Sequence, residues 1–224
     1  MAGEMFTEAF WDARYGSRSQ LWSGAPNPRL LEYASRLHPG RALDVGCGEG
    51  ADVIWLAGLG WQVTALDIST VALRRGAERA AEVGAEVARR IDWTPTDLLS
   101  WSGPEPASYE LASVQFMQPP KLEREVLFRH VAASVSPGGT LLIVAHDLSD
   151  MGITDLRTHA PDPELFYSAA EVAGLLDPGR WEIQVADALP RAANHASGQD
   201  IHVHDAVLCA RRRVAARAVG EPSL

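Results

Sequence analysis

The sequence predicts an α/β protein built on a seven-stranded, mostly parallel sheet with one reversed strand, helices on both faces and a helical N-terminal lid. Three observations predict it. Short apolar runs alternate with helical patterns through residue 147. The first of these runs breaks into three glycines spaced two apart, Gly46, Gly48 and Gly50, directly before a helical segment. The last two runs, residues 181–188 and 201–210, have no helix between them, so they pair antiparallel and reverse one strand.

A chain of 224 residues with 46% hydrophobic and 22% charged side chains suits one well-buried domain. We expect residues 1–224 to form that domain, with helices and lid over 1–40, the sheet over 41–211 and a flexible tail over 212–224. A net charge of −9 argues against a nucleic-acid surface, which needs a basic stripe. No apolar run approaches the ~20 residues of a membrane span. The acidic N-terminus lacks the basic and apolar regions of a signal peptide, and Cys47 and Cys209 read as reduced thiols, so a cytoplasmic monomer or homodimer is expected.

In chain order, aromatic spacing at Phe6, Phe10, Trp11 and Tyr15 predicts a helix over 4–15, and a loop follows to residue 28. Residues 29–37 read as a helix stopped by Pro39-Gly40, and 41–45 as the first buried strand. Helices are predicted over 51–59, 71–83, 121–134 and 168–176, and further strands over 61–66, 87–91, 109–116 and 140–145. Long loops are expected at 148–166 and 190–200.

The glycine corner decides the ligand class. Glycines let a backbone pass close to a ligand, and a helix start offers unpaired N–H groups. A dinucleotide fingerprint is G-x-G-x-x-G behind an apolar residue. Here the spacing is G-x-G-x-G, and Asp44 stands two residues ahead of Gly46. An anion at that point repels a pyrophosphate and suits a cationic ligand such as the ammonium and sulfonium of S-adenosylmethionine.

The run Asp44-Val45-Gly46-Cys47-Gly48-Glu49-Gly50 resembles the glycine motif of class I S-adenosylmethionine-dependent methyltransferases, whose Rossmann-like sheet matches the predicted strand count. Phe10-Trp11-Asp12-Ala13-Arg14-Tyr15 with Leu21-Trp22-Ser23-Gly24-Ala25-Pro26-Asn27 resembles the lid of the tellurite-resistance and thiopurine methyltransferase group, which implies that Tyr15 and Trp22 shape the pocket. The Pro-Gly-Gly turn at 137–139 is a further likeness. The resemblance also implies that Asp97 takes the adenine amino group while Leu98 lies against the ring. Asp67 ends the second strand, where a ribose presents both hydroxyls; an N-cap is its other reading, but Ser69 can serve the next helix instead. Asp44, Gly46, Cys47, Gly48, Gly50, Asp67, Ile68, Asp97, Leu98, Gln115, Tyr15 and Trp22 are thus the expected cofactor-binding residues.

Gln118-Pro119-Pro120-Lys121 departs from the Asn/Asp-Pro-Pro-aromatic signature of nucleobase and glutamine methylation, because both the amide clamp and the aromatic are replaced. The segment reads as a pocket wall. Ligands of such sheets bind beyond the carboxyl ends of the strands, so Gln115–Gln118, His146-Asp147, the 190–200 loop, His159, His195 and His202 are placed near the site, whereas His38 and His130 are not. Asp200, His202 and His204 share one strand face; metal binding is one reading, but strand alternation explains the spacing without it, and no metal is assigned.

His146 is the candidate catalytic base, able to take a proton from an N–H, O–H or S–H nucleophile; a structural histidine bonded to a loop is the alternative. Methyl transfer from a sulfonium needs no covalent protein nucleophile, so Cys47 should contribute backbone contacts alone. The leading expectation is methyl transfer to a small acceptor through a thiol, chalcogen or similar heteroatom. The alternatives are an N- or O-methyltransferase using His146 and a non-catalytic S-adenosylmethionine-binding protein; a nicotinamide oxidoreductase fits the glycine spacing poorly.

Overall fold

The computed structural model describes residues 6–150, 163–194 and 200–214. Helix α1 (Glu8–Gly16) is capped by Thr7, and α2 (Pro28–Ala34) by Asn27, whose side chain accepts the Arg29 N–H. The strands β1 (Arg41–Val45), β2 (Gln62–Asp67), β3 (Ile91–Pro95), β4 (Tyr109–Gln115), β5 (Val135–His146), β6 (Trp181–Asn194) and β7 (Asp200–Arg212) form one sheet in the order β3-β2-β1-β4-β5-β7-β6. Strand β7 runs antiparallel to both neighbours, while the pairings among β1 to β5 are parallel. That is the single reversed strand expected. The helices are α3 (Ala51–Gly58), α4 (Thr70–Val83), α5 (Ala85–Ala88), α6 (Lys121–Ser134) and α7 (Ala169–Ala173).

Strand alternation sorts the core into two layers. Leu43, Val45, Val114, Leu141 and Ile143 pack with Leu127, Phe128 and Val131 of α6. Ala42, Val63, Leu111, Leu142 and Val144 pack on the other face with Val53, Leu56 and Ala57 of α3 and Leu30 of α2. Both faces are covered, as a parallel sheet requires.

Four stretches differ from the sequence expectation. Residues 85–88 form a helical turn after Gly84, and the third strand begins at Ile91, not Val87. Its polar Asp92-Trp93-Thr94-Pro95 resembles a loop in sequence, but β3 is the outermost strand, where a proline and half-exposed positions are tolerated. The Ser-Pro-Gly-Gly segment lies within β5 as an irregularity, the register passing from Tyr109↔Val135 to Leu111↔Thr140 with Gly138 at φ 85°. Residues 190–194, expected as loop, continue β6 in a ladder with β7 that reaches Asn194↔Asp200. The basic run at Arg211 and Arg212 likewise completes β7.

Trp93 locks β3 onto α3 and α4. A Cβ at Gly50 would fall 2.3 Å from its ring, and one at Gly76 2.6 Å. Gly50 also holds φ 75°, a left-handed conformation that a side chain strains. Gly50→Ala should therefore cost about 1–3 kcal/mol from overpacking and backbone strain together. Urea unfolding should show a smaller cost in a Trp93→Ala background, because the double mutant removes the clash and leaves the backbone strain.

Candidate cofactor and acceptor site

The site grows from the turn after β1. Gly46, Gly48 and Gly50 all hold left-handed φ, at 76°, 54° and 75°. The Gly46 and Cys47 N–H groups both donate to the Leu66 carbonyl, at 2.8 and 2.9 Å. Asp67, at the end of β2, then receives Gly48 N–H on Oδ2 and Ser69 N–H on Oδ1, each at 2.8 Å. Burial raises the Asp67 carboxyl above its ordinary pKa, and these N–H groups counter that rise. A carboxylate oxygen has two acceptor positions, so Asp67 can still take hydroxyl donors. Ser69 caps α4 through Ala72 N–H, which frees Asp67 from that duty.

A wall of acids continues from the corner. Asp44 is buried; burial, and then the charge of Asp52, hold its pKa well above the usual carboxylate range, while the Ser113 hydroxyl opposes. Burial pushes Asp52 up to about 6, against a 2.6 Å hydrogen bond from Asn27 N–H. The Asn27 amide also donates to Gln115 Oε1 at 2.7 Å, and Gln115 donates to Ser113 at 2.9 Å. A lid residue is thereby linked to the sheet floor below Asp44. Burial, followed by the charge of Asp67, keeps the Cys47 thiol protonated, consistent with a backbone role.

The lid is fastened by charge. Asp12 of α1 accepts from the hydroxyls of Ser69 and Thr70 and from Val71 N–H, at 2.5, 3.1 and 3.2 Å, at the start of α4. Glu49 accepts Leu21 and Trp22 N–H on one oxygen and pairs with Arg75 through the other at 3.2 Å. Arg75 in turn donates to the Tyr15 carbonyl at 2.8 Å. The Trp22 indole donates to the Tyr15 hydroxyl at 3.0 Å, and a Cβ on Gly48 would come 2.8 Å from that hydroxyl. The second glycine thus keeps open the space between corner and lid.

Corner and lid enclose a cavity of about 640 Å³, within the range of small-molecule sites. Asp44, Gly46, Cys47, Gly48, Gly50, Asp67, Ile68, Leu98, Gln115, Tyr15, Trp22 and His146 all line it. Asp97 does not. It lies in an adjoining cleft with Phe6, Ile68 and Thr96, its carboxylate engaged by Leu99 N–H at 3.1 Å and the Ser100 hydroxyl at 2.9 Å. Asp147 is also outside the cavity lining, holding Ser149 N–H at 2.9 Å. Phe116, Met117, Gln118, Leu165, His146 and Arg191 also line the cavity. Phe116 adopts φ 53°, and its ring centroid lies 4.7 Å from that of His146.

Sequence reasoning missed Asp52; it placed Asp12 and Asn27 only within the lid motif, and Glu49, Phe116 and Arg191 only within segments expected near the site, with no role of their own. Glu49 and Asp52 stand around the start of α3, where acids read as ordinary dipole partners. Of the histidines, His204 is bonded to Asp150 at 3.1 Å and His202 is exposed; His159 and His195 lie outside the described residues. Among the described residues, no group of three or more His, Cys, Asp or Glu could hold a metal ion.

Residues 42–139 match the model of the methyltransferase domain family. Within those residues the chain resembles a methyltransferase domain. It is 32% identical over 137 residues to the ubiquinone biosynthesis O-methyltransferase of Xanthomonas euvesicatoria pv. vesicatoria, a match covering 60% of this chain and 54% of that protein. The corresponding protein of Xylella fastidiosa is 31% identical over 141 residues, 62% of this chain and 54% of its own. The chain thus spans about half the length of these curated relatives. TehB from Haemophilus influenzae shares the fold at TM-score 0.65 and 18% identity, over 92% of this chain and 67% of its own. A structure from work on conversion of a disulfide bond into a thioacetal group during echinomycin biosynthesis aligns at TM-score 0.69 and 22% identity, over 95% of both chains.

The acid wall makes cation binding depend on pH. Because the Asp52 pKa of about 6 is raised in the folded protein, its contribution to stability is present at low pH and lost as pH rises toward 6. A bound cation reverses that penalty by favouring the carboxylate. Affinity for S-adenosylmethionine should therefore rise as pH increases through about 6, with proton release on binding below that pH. Calorimetry in buffers of different ionisation enthalpy measures the release, and Asp52→Asn should reduce it.

Proposed function

We propose that the protein transfers a methyl group from S-adenosylmethionine to a heteroatom of a small acceptor. The observation that carries the reading is the buried Asp67 carboxylate, fixed by Gly48 and Ser69 beside a wall of acids. Asp67 would take the ribose hydroxyls, Ile68 and Leu98 would flank the adenine, and Asp44 and Asp52 would face the cationic methionine end. When bound, the cofactor supplies a methyl group made electrophilic by its sulfonium. The protein's share is to orient the acceptor, exclude water and manage the acceptor's proton. Tyr15 and Trp22 close the lid side, and Phe116, Met117 and Leu165 give the acceptor end apolar walls.

Two acceptor chemistries follow. The curated relatives are named for O-methylation, whereas the likeness of the lid to the tellurite-resistance group, together with a structural neighbour associated with disulfide chemistry, favours sulfur or another chalcogen. A thiolate needs little base assistance; a hydroxyl or amine needs its proton removed, and His146 stands at the acceptor end to receive it.

The test measures S-adenosylhomocysteine formed from thiols, selenite, tellurite, phenols and amines. Turnover is expected with at least one class. If the acceptor is a phenol or amine, His146→Ala should lower kcat about 10²–10⁴-fold; with an already ionised thiol the change should be several-fold at most. No product from any class by folded protein that binds the cofactor would count against transfer.

A further inference from the structure

The acceptor end of the cavity holds a charge that the methyl-transfer reading does not use. Asp205 of β7 is fully buried and receives two guanidinium groups: Arg29 Nε at 3.1 Å, and Arg191 Nε at 3.1 Å to each carboxylate oxygen. One buried carboxylate therefore faces two cations. Arg29 is fully engaged as a brace, since its terminal nitrogens bind Glu32 at 3.1 Å and the carbonyls of Leu189 and Pro190 at 3.1 and 2.8 Å. Arg191 differs. It lines the cavity, and only its Nε is engaged; its two terminal nitrogens have no hydrogen-bond partner among the described residues.

The surroundings define what those donors can meet. The Arg191 guanidinium lies over the Phe116 ring, 5.7 Å from its centroid, and His146 packs against the same ring. Met117 and Leu165 supply apolar surface alongside. A guanidinium oriented through Nε by a buried carboxylate is a preorganised fork for a planar anion. We propose that Arg191 binds a carboxylate on the methyl acceptor, so that the substrates are small hydroxy or thiol acids whose apolar body lies against Phe116 while the reacting atom reaches the His146 side. This specificity rests on the methyl-transfer reading for its meaning, but the anion grip itself can be measured separately.

The experiment is calorimetric titration of the complex with S-adenosylhomocysteine, using aromatic and short aliphatic hydroxy and thiol acids, each beside its primary amide. At least one acid should bind ten-fold or more tightly than its amide. Arg191→Gln should erase that preference and Arg191→Lys should keep part of it, as a point charge without the fork. Acids and amides binding alike throughout, no binding by any acid, or a preference that survives Arg191→Gln would overturn the proposal. The acid–amide comparison on wild-type protein stands even if a variant fails to fold. If S-adenosylhomocysteine does not bind, the methyl-transfer reading fails, and the same comparison on the free protein still decides whether Arg191 grips a carboxylate.

Discussion

The Asp67 carboxylate is the interaction on which the site depends. It ends β2, yet its two oxygens hold the backbone on either side of the sheet's central crevice: Gly48 in the turn after β1 and Ser69 at the start of α4. Backbone N–H groups left buried without partners are costly, so the turn and the helix start both settle where one side chain can satisfy them. The left-handed glycines make that convergence sterically possible. A buried anion with acceptor capacity remaining is the result, at the carboxyl edge where parallel sheets bind ligands.

Charge organises the rest of the crevice. Asp44, buried, and Asp52, half-buried, lie near one another at a cost that shows as raised pKa values, and a cationic ligand would relieve it. The lid is drawn onto this region by Asp12, Glu49 and Arg75, each ending on backbone or hydroxyl groups of the opposite element. Asn27 carries the connection furthest, touching Asp52 with its backbone and Gln115 with its amide. Closure of the lid and occupation of the acid wall therefore involve the same hydrogen bonds, which suits a site that must exclude water around a reactive cation. Arg191 and Arg29 invert the polarity around Asp205. Of these two arginines, Arg191 lines the cavity.

Much of this was legible in the sequence where local chemistry dictates geometry. The glycine spacing, Asp44 and Asp67 are confined to adjacent strand ends, so their convergence follows from strand alternation alone. Tyr15 and Trp22 were singled out through likeness to a lid; the Trp22 indole donates to the Tyr15 hydroxyl, and both line the cavity. What was not legible depends on contacts between distant segments. Trp93 reads as a loop tryptophan until Gly50 and Gly76 are seen to make room for it. Arg191 fell in a predicted loop because β6 lacks strong strand formers there, and the ladder with β7 overrides that propensity. Asp97 was placed by family pattern, but its own Asx-type turn holds the carboxylate toward Leu99 and Ser100.

The measurement that tests the account most directly is calorimetric binding of S-adenosylhomocysteine to wild-type protein and to Asp67→Asn, with urea unfolding to confirm that both are folded. The amide keeps one acceptor for the backbone but loses the charge and part of the capacity for ribose hydroxyls. The account predicts micromolar binding by the wild type and a loss of about 10²-fold or more in the variant, the scale of one or two charge-assisted hydrogen bonds. Absence of binding by folded wild type, or equal affinity in the variant, would contradict it.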